Sequence, residues 1–215
     1  MSRRLLAMLL LTPGPLLAQD AVAIVGRAGR LYRSLSSLQA EFVQTIEDRA
    51  LGDTLTSRGT VTQAGANLFA MRFSDPPDEA IVVDGKYIWT YTPSTAPNQV
   101  YRSQVQTDPV YGVNLLAQLL DRPADRYQAR YVRHDALNGR GVYVIELLPN
   151  SSSIPFSRAV VWLDVDDALP RRIELDESPG LRRTLALSRL RPNLSYSRKT
   201  FTFEVPPGVR VVDRL

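Results

Sequence analysis

His134 is the only histidine in the 215-residue chain, and a lone imidazole acts as a general base only beside a nucleophile or a metal partner. Its surroundings, RHDALNGR, supply neither. Asp164, Asp166 and Asp167 gather three carboxylates, the oxygen-rich chemistry of calcium. They lack the glycine and terminal glutamate of an EF-hand loop, so a solvated turn between strands is expected. Ser151-Ser152-Ser153 has the composition of a loop, and there is no G-x-S-x-G elbow, H-E-x-x-H pair or phosphate-cradling glycine loop. The expectation is no catalytic residue, no metal and no cofactor. What remains is the chemistry of apolar surface: rings and sulfur at alternating positions, namely Phe42, Phe69, Met71, Phe73, Tyr87, Trp89, Tyr91, Trp162, Phe201 and Phe203. Such a set either fills a core or lines a cavity that waits for something apolar.

The elements that carry these residues are mostly strands. A helix over 20–36 puts Val22, Val25, Leu31, Tyr32 and Leu35 on one side and Arg27, Arg30 and Arg33 on the other, with Gly26 and Gly29 weakening it. From Leu38 the period drops to two: Leu38, Ala40, Phe42 and Ile46 share a side that Gln44 interrupts. Strands follow at 54–63 and 68–73, the second ended by Pro76-Pro77. Asp84-Gly85 between β-branched and aromatic runs predicts a two-residue hairpin turn, with Tyr87, Trp89 and Tyr91 on one face of the strand beyond it. After a strand near 99–105, Val113, Leu115, Leu116, Leu119 and Leu120 crowd a segment that Asp121-Arg122-Pro123 ends, which predicts one helix of about three turns. Strands are expected at 126–133, 141–148, 159–165, 171–176 and 183–190, with Arg182-Arg183 as solvated charge, and a last strand carries Phe201, Phe203 and Val205. Many short antiparallel strands with two helices as cover make a mainly β, α+β domain.

Composition narrows the setting. Arg3-Arg4, the apolar run Leu5 to Leu11 and Ala18 have the pattern of a secretory signal peptide over 1–18, leaving a domain at 19–215. The formal charge of +4 falls to +2 without Arg3 and Arg4, too little for a nucleic-acid stripe, so no nucleic-acid partner is expected. There is no cysteine, hence no disulfide staple and no thioether lipid on this chain. No later segment is apolar enough to span a bilayer as a helix.

Four segments carry a resemblance: SLSSLQAEFVQTI (34–46, with Phe42-x-Gln44), ANLFAM (66–71), PDEAIVVDGKYIWTYTP (77–93) and KTFTFEVPPGVRVVD (199–213). In order and spacing they resemble the periplasmic outer-membrane lipoprotein carrier proteins, the LolA family. The resemblance implies an incomplete, curved antiparallel β-barrel closed by a helical lid, non-catalytic, which shelters lipoprotein acyl chains. It implies acylated lipoproteins as cargo, an inner-membrane lipoprotein-releasing ABC transporter as donor, an outer-membrane receptor or the membrane as acceptor, and a monomer in the periplasm. On that reading the ten rings and sulfurs are cavity candidates, and Val113, Leu115, Leu116, Leu119 and Leu120 form the lid. An envelope-stress or regulatory sensor on the same half-barrel is the alternative. The family's Arg-Pro before the NLF-like segment, whose arginine holds the lid, is Gly65-Ala66 here, and Met71 stands where a Trp is common. Arg58 and Arg72 are the candidate substitutes, although Arg72 is expected to alternate away from the Phe69–Met71 face.

Overall fold

Twelve strands realise the period-two pattern. The computed structural model of the chain describes residues 15–106, 113–177 and 180–214, the first six through the backbone alone. Helix α1 (Pro15–Ser34) precedes β1 (Ser37–Asp48), β2 (Asp53–Ala64), β3 (Leu68–Asp75), β4 (Pro77–Asp84), β5 (Tyr87–Tyr91) and β6 (Gln99–Gln104). Two short helices, α2 (Leu115–Leu120) and α3 (Pro123–Arg126), lead into β7 (Tyr127–Leu137), β8 (Arg140–Pro149), β9 (Arg158–Asp164), β10 (Pro170–Asp176) and β11 (Leu181–Pro192). A 3₁₀ turn at Arg198–Phe201 and β12 (Arg210–Arg214) finish the chain. Residues 1–14 of the expected leader lie outside the described residues, and residues 15–18 begin α1. Among the described residues no helix is long and apolar enough to cross a membrane.

The strands form one open, curved sheet in the order β12-β6-β5-β4-β3-β2-β1-β11-β10-β9-β8-β7. Meander connections make almost every neighbour antiparallel. The exception is β12, which runs parallel to β6. This corrects the expected last strand: Phe201 sits in the 3₁₀ turn, Phe203 lies in irregular chain, and the strand forms only after Pro206-Pro207. Alternating rings there reflect a segment laid across a sheet face rather than a ladder.

Each face of the sheet has its own cover. On the inner side Phe42, Val61, Phe69, Met71, Val83, Ile145, Leu147 and Leu163 form one core with Ala21, Val25 and Ala28 of α1 and Leu116, Leu119 and Leu120 of α2. The buried stripe of α1 thus runs through Ala21, Val25 and Ala28, and Val22, expected on it, is 49 % exposed. Small residues bring the helix close to its neighbours. At Gly29 an added Cβ would stand 2.8 Å from the Leu120 carbonyl oxygen and 2.9 Å from Pro123 Cδ, so glycine is what lets α1 press on the α2–α3 corner. On the outer side a second core of Ala70, Ala80, Val82 and Phe201 packs with Trp89, Tyr196 and Phe203.

Asp164 ties α1's neighbourhood together. Its carboxylate, fully buried, pairs with Arg140 and with Arg171 at 3.1 Å, and accepts the backbone N–H groups of Asp166 and Asp167 at 3.0 and 3.2 Å. The turn so formed presents the Val165 and Asp166 carbonyls to the Arg27 guanidinium at 3.0 and 2.6 Å. The acidic cluster is therefore a turn, but Asp164 within it is buried and ion-paired rather than solvated. Among the described residues no group of three or more His, Cys, Asp or Glu is placed to hold a metal ion.

The Arg140 hydrogen bond outweighs burial and, with the two backbone N–H groups and Arg171, holds the Asp164 carboxyl well below the usual carboxylate range. A depressed folded pKa gives stability that is complete above the unfolded value of about 3.9 and is lost progressively as pH falls below it. Asp164→Asn should cost about 2 kcal/mol at neutral pH, because it removes the charge-assisted hydrogen bonds to Arg140 and Arg171 and leaves both to Asp167. Urea unfolding should show the deficit in full at pH 7 and a shrinking deficit once the pH drops below about 4.

Candidate functional site

Between the inner face and α2 the packing leaves a gap. It is a cavity of ≈ 140 Å³ lined by Val61, Phe69, Met71, Phe73, Ile81, Val113, Leu115, Leu116, Leu185 and Leu187, with Gln44, Thr90, Asn114 and Arg183 as its polar wall. Strand parity explains the set: residues 69, 71 and 73 share a face of β3, residues 183, 185 and 187 share a face of β11, and Ile88 and Thr90 are the inward residues of β5, of which Thr90 reaches the cavity. Phe42 backs the wall through an edge-to-face contact with Phe73, ring centroids 5.2 Å apart.

The same parity turns Tyr87, Trp89 and Tyr91 of β5 outward, where they meet Phe201 and Phe203 of the C-terminal segment. Trp89 stacks on Phe203 at 5.7 Å, Tyr91 lies 5.6 Å from Phe203, and Phe201 meets Tyr196 edge-on at 6.2 Å. Tyr87 packs edge-on against Trp89 and under the Arg102 guanidinium at 4.9 Å. These rings hold the C-terminal segment to the outside of the sheet and do not line the cavity. Trp162 also faces out, beneath Arg172 at 5.0 Å, because its neighbours Val161 and Leu163 take the inner core. The expectation for Tyr87, Trp89, Tyr91, Trp162, Phe201 and Phe203 is thereby corrected, and that for Phe42 shifts from lining to support.

The hairpin that presents Trp89 differs in detail from the expectation. Only Gly85 takes positive φ, at 97°, and the turn residues are Gly85-Lys86. Gly at the first of two central positions suits a type II′ turn. Asp84 closes it by accepting the N–H groups of Lys86 and Tyr87 at 2.8 and 2.7 Å and the Trp89 indole at 2.8 Å. Burial pushes the Asp84 carboxyl up, but the bonds from Trp89, Tyr87 and Lys86 together hold it below its ordinary value.

The roof is shorter than expected. Instead of one helix of about three turns, α2 spans Leu115–Leu120 and α3 is a single turn, with Arg122 at φ 46° between them. Val113, Leu115 and Leu116 face the cavity, whereas Leu119 and Leu120 are buried in the core that α1 shares. Asn114 caps α2, its Oδ1 accepting the Ala117 N–H at 3.1 Å. Its Nδ2 donates to Gln63 Oε1 at 3.0 Å and lies 3.4 Å from the Tyr32 hydroxyl, which itself donates to Gln63 Oε1 at 3.0 Å. One neutral triad therefore joins α1, β2 and the roof. Neither candidate arginine serves as latch: Arg58 pairs with Asp75 at 3.4 Å on the surface, and Arg72 donates to the Thr202 and Thr200 carbonyls at 3.1 and 3.4 Å on the outer face.

Sequence reasoning passed over Gln63, Asn114, Arg183, Leu185 and Leu187. Gln63 and Asn114 are buried amides, 5% and 3% exposed, which only the fold reveals. Arg183, expected as solvated charge, lies on the cavity wall and pairs with Glu177 at 2.9 Å.

The architecture is an open curved sheet whose apolar trough is left partly unfilled beneath a short helical roof. Residues 33–204 match the family model described as outer membrane lipoprotein carrier protein LolA, and the chain belongs to that family. Among curated relatives, the outer-membrane lipoprotein carrier protein of Xanthomonas oryzae pv. oryzae is 26% identical over 183 residues, 84% of this chain and 83% of that protein. The protein of the same description from Alkalilimnicola ehrlichii is 25% identical over 199 residues, 93% of this chain and 87% of that one. An uncharacterized conserved protein from Thermus thermophilus shares the fold at TM-score 0.58 and 16% identity, covering 91% of this chain and all of that one (100%).

Asn114→Ala removes a helix cap and leaves the Gln63 amide carbonyl with one partner fewer in a buried place. A loss of about 2 kcal/mol is expected. Hydrogen exchange should quicken first at the amides of Ala117 and Asp121, ahead of the β1–β2 ladder.

Proposed function

We propose that the protein is a periplasmic carrier of lipoproteins that shelters their acyl chains in the trough under α2 and performs no catalysis. The observation that carries this reading is a trough left incompletely filled beneath a roof held by neutral hydrogen bonds. A cavity of ≈ 140 Å³ is comparable to one that admits a single benzene ring, of about 150 Å³. An acyl chain therefore enters only by lifting α2.

The energies of that exchange are close to balanced. Moving α2 off the trough exposes Leu116, Leu119 and Leu120 at about 2 kcal/mol each and breaks a latch worth about 2 kcal/mol. Burying about ten methylenes of a chain returns about 8 kcal/mol. The filled and empty states then lie within reach of one another, so cargo can be handed on by an acceptor with a better apolar site. Chains buried completely and without such an opposing cost would approach the ceiling of non-covalent affinity and resist release.

In this reading residues 1–18 direct export and are removed, the domain at 19–215 acts as a monomer, an inner-membrane lipoprotein-releasing ABC transporter loads it, and an outer-membrane receptor or the membrane unloads it. The family match and the names of its relatives support lipoprotein cargo; the transporter and the receptor are what the resemblance to that family implies.

Position-specific crosslinking tests the assignment of faces. A photoreactive residue at Phe69 should capture acylated protein from periplasm, whereas one at Trp89 should not. Met71→Glu should lower acyl-chain binding at least tenfold while urea stability falls less steeply, because the carboxyl protonates or reaches water when the trough is empty. Equal capture from both positions, or organic extracts of the purified protein that contain no acylated species, would sink the carrier reading.

A further inference from the structure

We propose that the trough contains a head-group station, formed by Gln44 and Arg183 with Ser57 behind them, that takes the ester or amide carbonyl at the polar end of an acyl chain. This rests on the carrier reading and adds to it the orientation and chemical class of the ligand.

Between Gln63, which shares the Phe69 row and is spent on the latch, and these residues, the inner face of β1 to β3 is apolar. From the roof outward, β2 and its neighbours present Phe69, then Val61 and Met71, then Phe42 with Leu187, and then Gln44 beside Ser57 and Leu185. Gln44 and Ser57 are only 8% and 4% exposed. A wall meant for hydrocarbon alone has no use for a buried amide and hydroxyl, which cost free energy wherever their hydrogen bonds are incomplete.

The bonding here is incomplete in a particular sense. Arg183 carries donors only, so the Gln44 oxygen must face its Nη1, at 3.3 Å, and the Gln44 nitrogen must face Ser57 Oγ, also at 3.3 Å. Both contacts are longer than a usual hydrogen bond. Ser57 accepts there, so its hydroxyl hydrogen and the second hydrogen of Gln44 Nε2 have no acceptor among the described residues. Asn114, the other amide on the wall, differs: its oxygen receives Ala117 N–H and its nitrogen serves Gln63 and Tyr32.

The station therefore offers spare donors. It offers them without net charge, because Glu177 holds the Arg183 guanidinium at 2.9 and 3.3 Å. Donors in a neutral setting match a carbonyl oxygen better than a carboxylate or phosphate, whose charge would meet Glu177 as well. Ser57 and Gln63 are six residues apart on β2, about 20 Å at strand rise. A chain bound with its carbonyl at Gln44 points its methyl end toward the Tyr32–Gln63–Asn114 latch, so its far end is what presses on the roof.

Calorimetry on the intact chain, with probes kept below their micellar concentrations, tests this. A monoacylglycerol ester should bind about three- to tenfold more tightly than the alkylglycerol ether of equal chain length, which lacks only the carbonyl. Gln44→Leu and Ser57→Ala should each reduce ester binding to the level of the ether. If Gln44→Leu does not fold, the wild-type comparison and Ser57→Ala still decide. Equal binding of ester and ether to the wild type, or tighter binding of the free fatty acid than of the ester, overturns the station and leaves the carrier reading standing. Binding of neither probe overturns the carrier reading itself, and the station with it.

Discussion

Everything in this structure depends on an inner sheet face that is apolar yet not filled. Burial of Leu147, Leu163 and their neighbours, with α1 laid against β7 and β8, supplies an ordinary close-packed core. Under α2 the same sheet is covered by a helix of only six residues, and the packing there leaves the cavity. The two halves of one sheet thus carry different obligations. One holds the fold together, and the other stays adaptable, with Met71 and the rings of Phe69 and Phe73 able to repack around whatever lies against them.

The outer face explains how the adaptable half keeps its shape. Trp89, Tyr91 and Phe203 form a continuous stack over β4 and β5, Arg72 grips the Thr200 and Thr202 carbonyls, and Arg102 makes a two-point ion pair with Asp213 at 2.7 and 3.0 Å. The C-terminal segment so fastened acts as a strap across the strands that line the cavity, and β12 adds a paired edge to β6. A trough whose inner side lacks filler needs its outer side tied, or the strands would close on the gap.

That double cover also determines what could be read in advance. Alternation in LFAMRF and in KYIWTY separates two sets of side chains correctly, and the strands at β1 to β4 and β7 to β11 lie where the pattern puts them. Alternation does not say which set faces inward. Where one face is polar the choice is obvious, but β5 is covered on both sides, so its larger rings, Tyr87, Trp89 and Tyr91, were the tempting cavity set, while Ile88 and Thr90 are the inward ones. Phe201 and Phe203 misled for the same reason, since a strap packed on a sheet acquires the sheet's spacing without joining its ladder. The roof is legible as an apolar cluster but not in length, because Asn114, as N-cap, starts the helix only at Leu115 and the left-handed Arg122 separates it from α3. The latch lay beyond reach because Tyr32, Gln63 and Asn114 are brought together only by the tertiary fold.

A neutral latch has consequences that an arginine in the same role would not share. A guanidinium moved from a buried contact into water regains much hydration, and its contribution depends on salt. The amide–phenol triad exchanges uncharged hydrogen bonds for ones with water, so opening would cost the apolar burial of α2 plus about 2 kcal/mol and would vary little with ionic strength. The strength of the roof is then tuned mainly by its leucines and by how closely α1 can press on it, which returns to Gly29, where any larger residue would push the Leu120 carbonyl and Pro123 away. On the proposed carrier reading, reliance on contact area rather than charge would make hydrocarbon the natural competitor for the same surface: a ligand that covers the leucines' place in the trough would displace α2 most effectively.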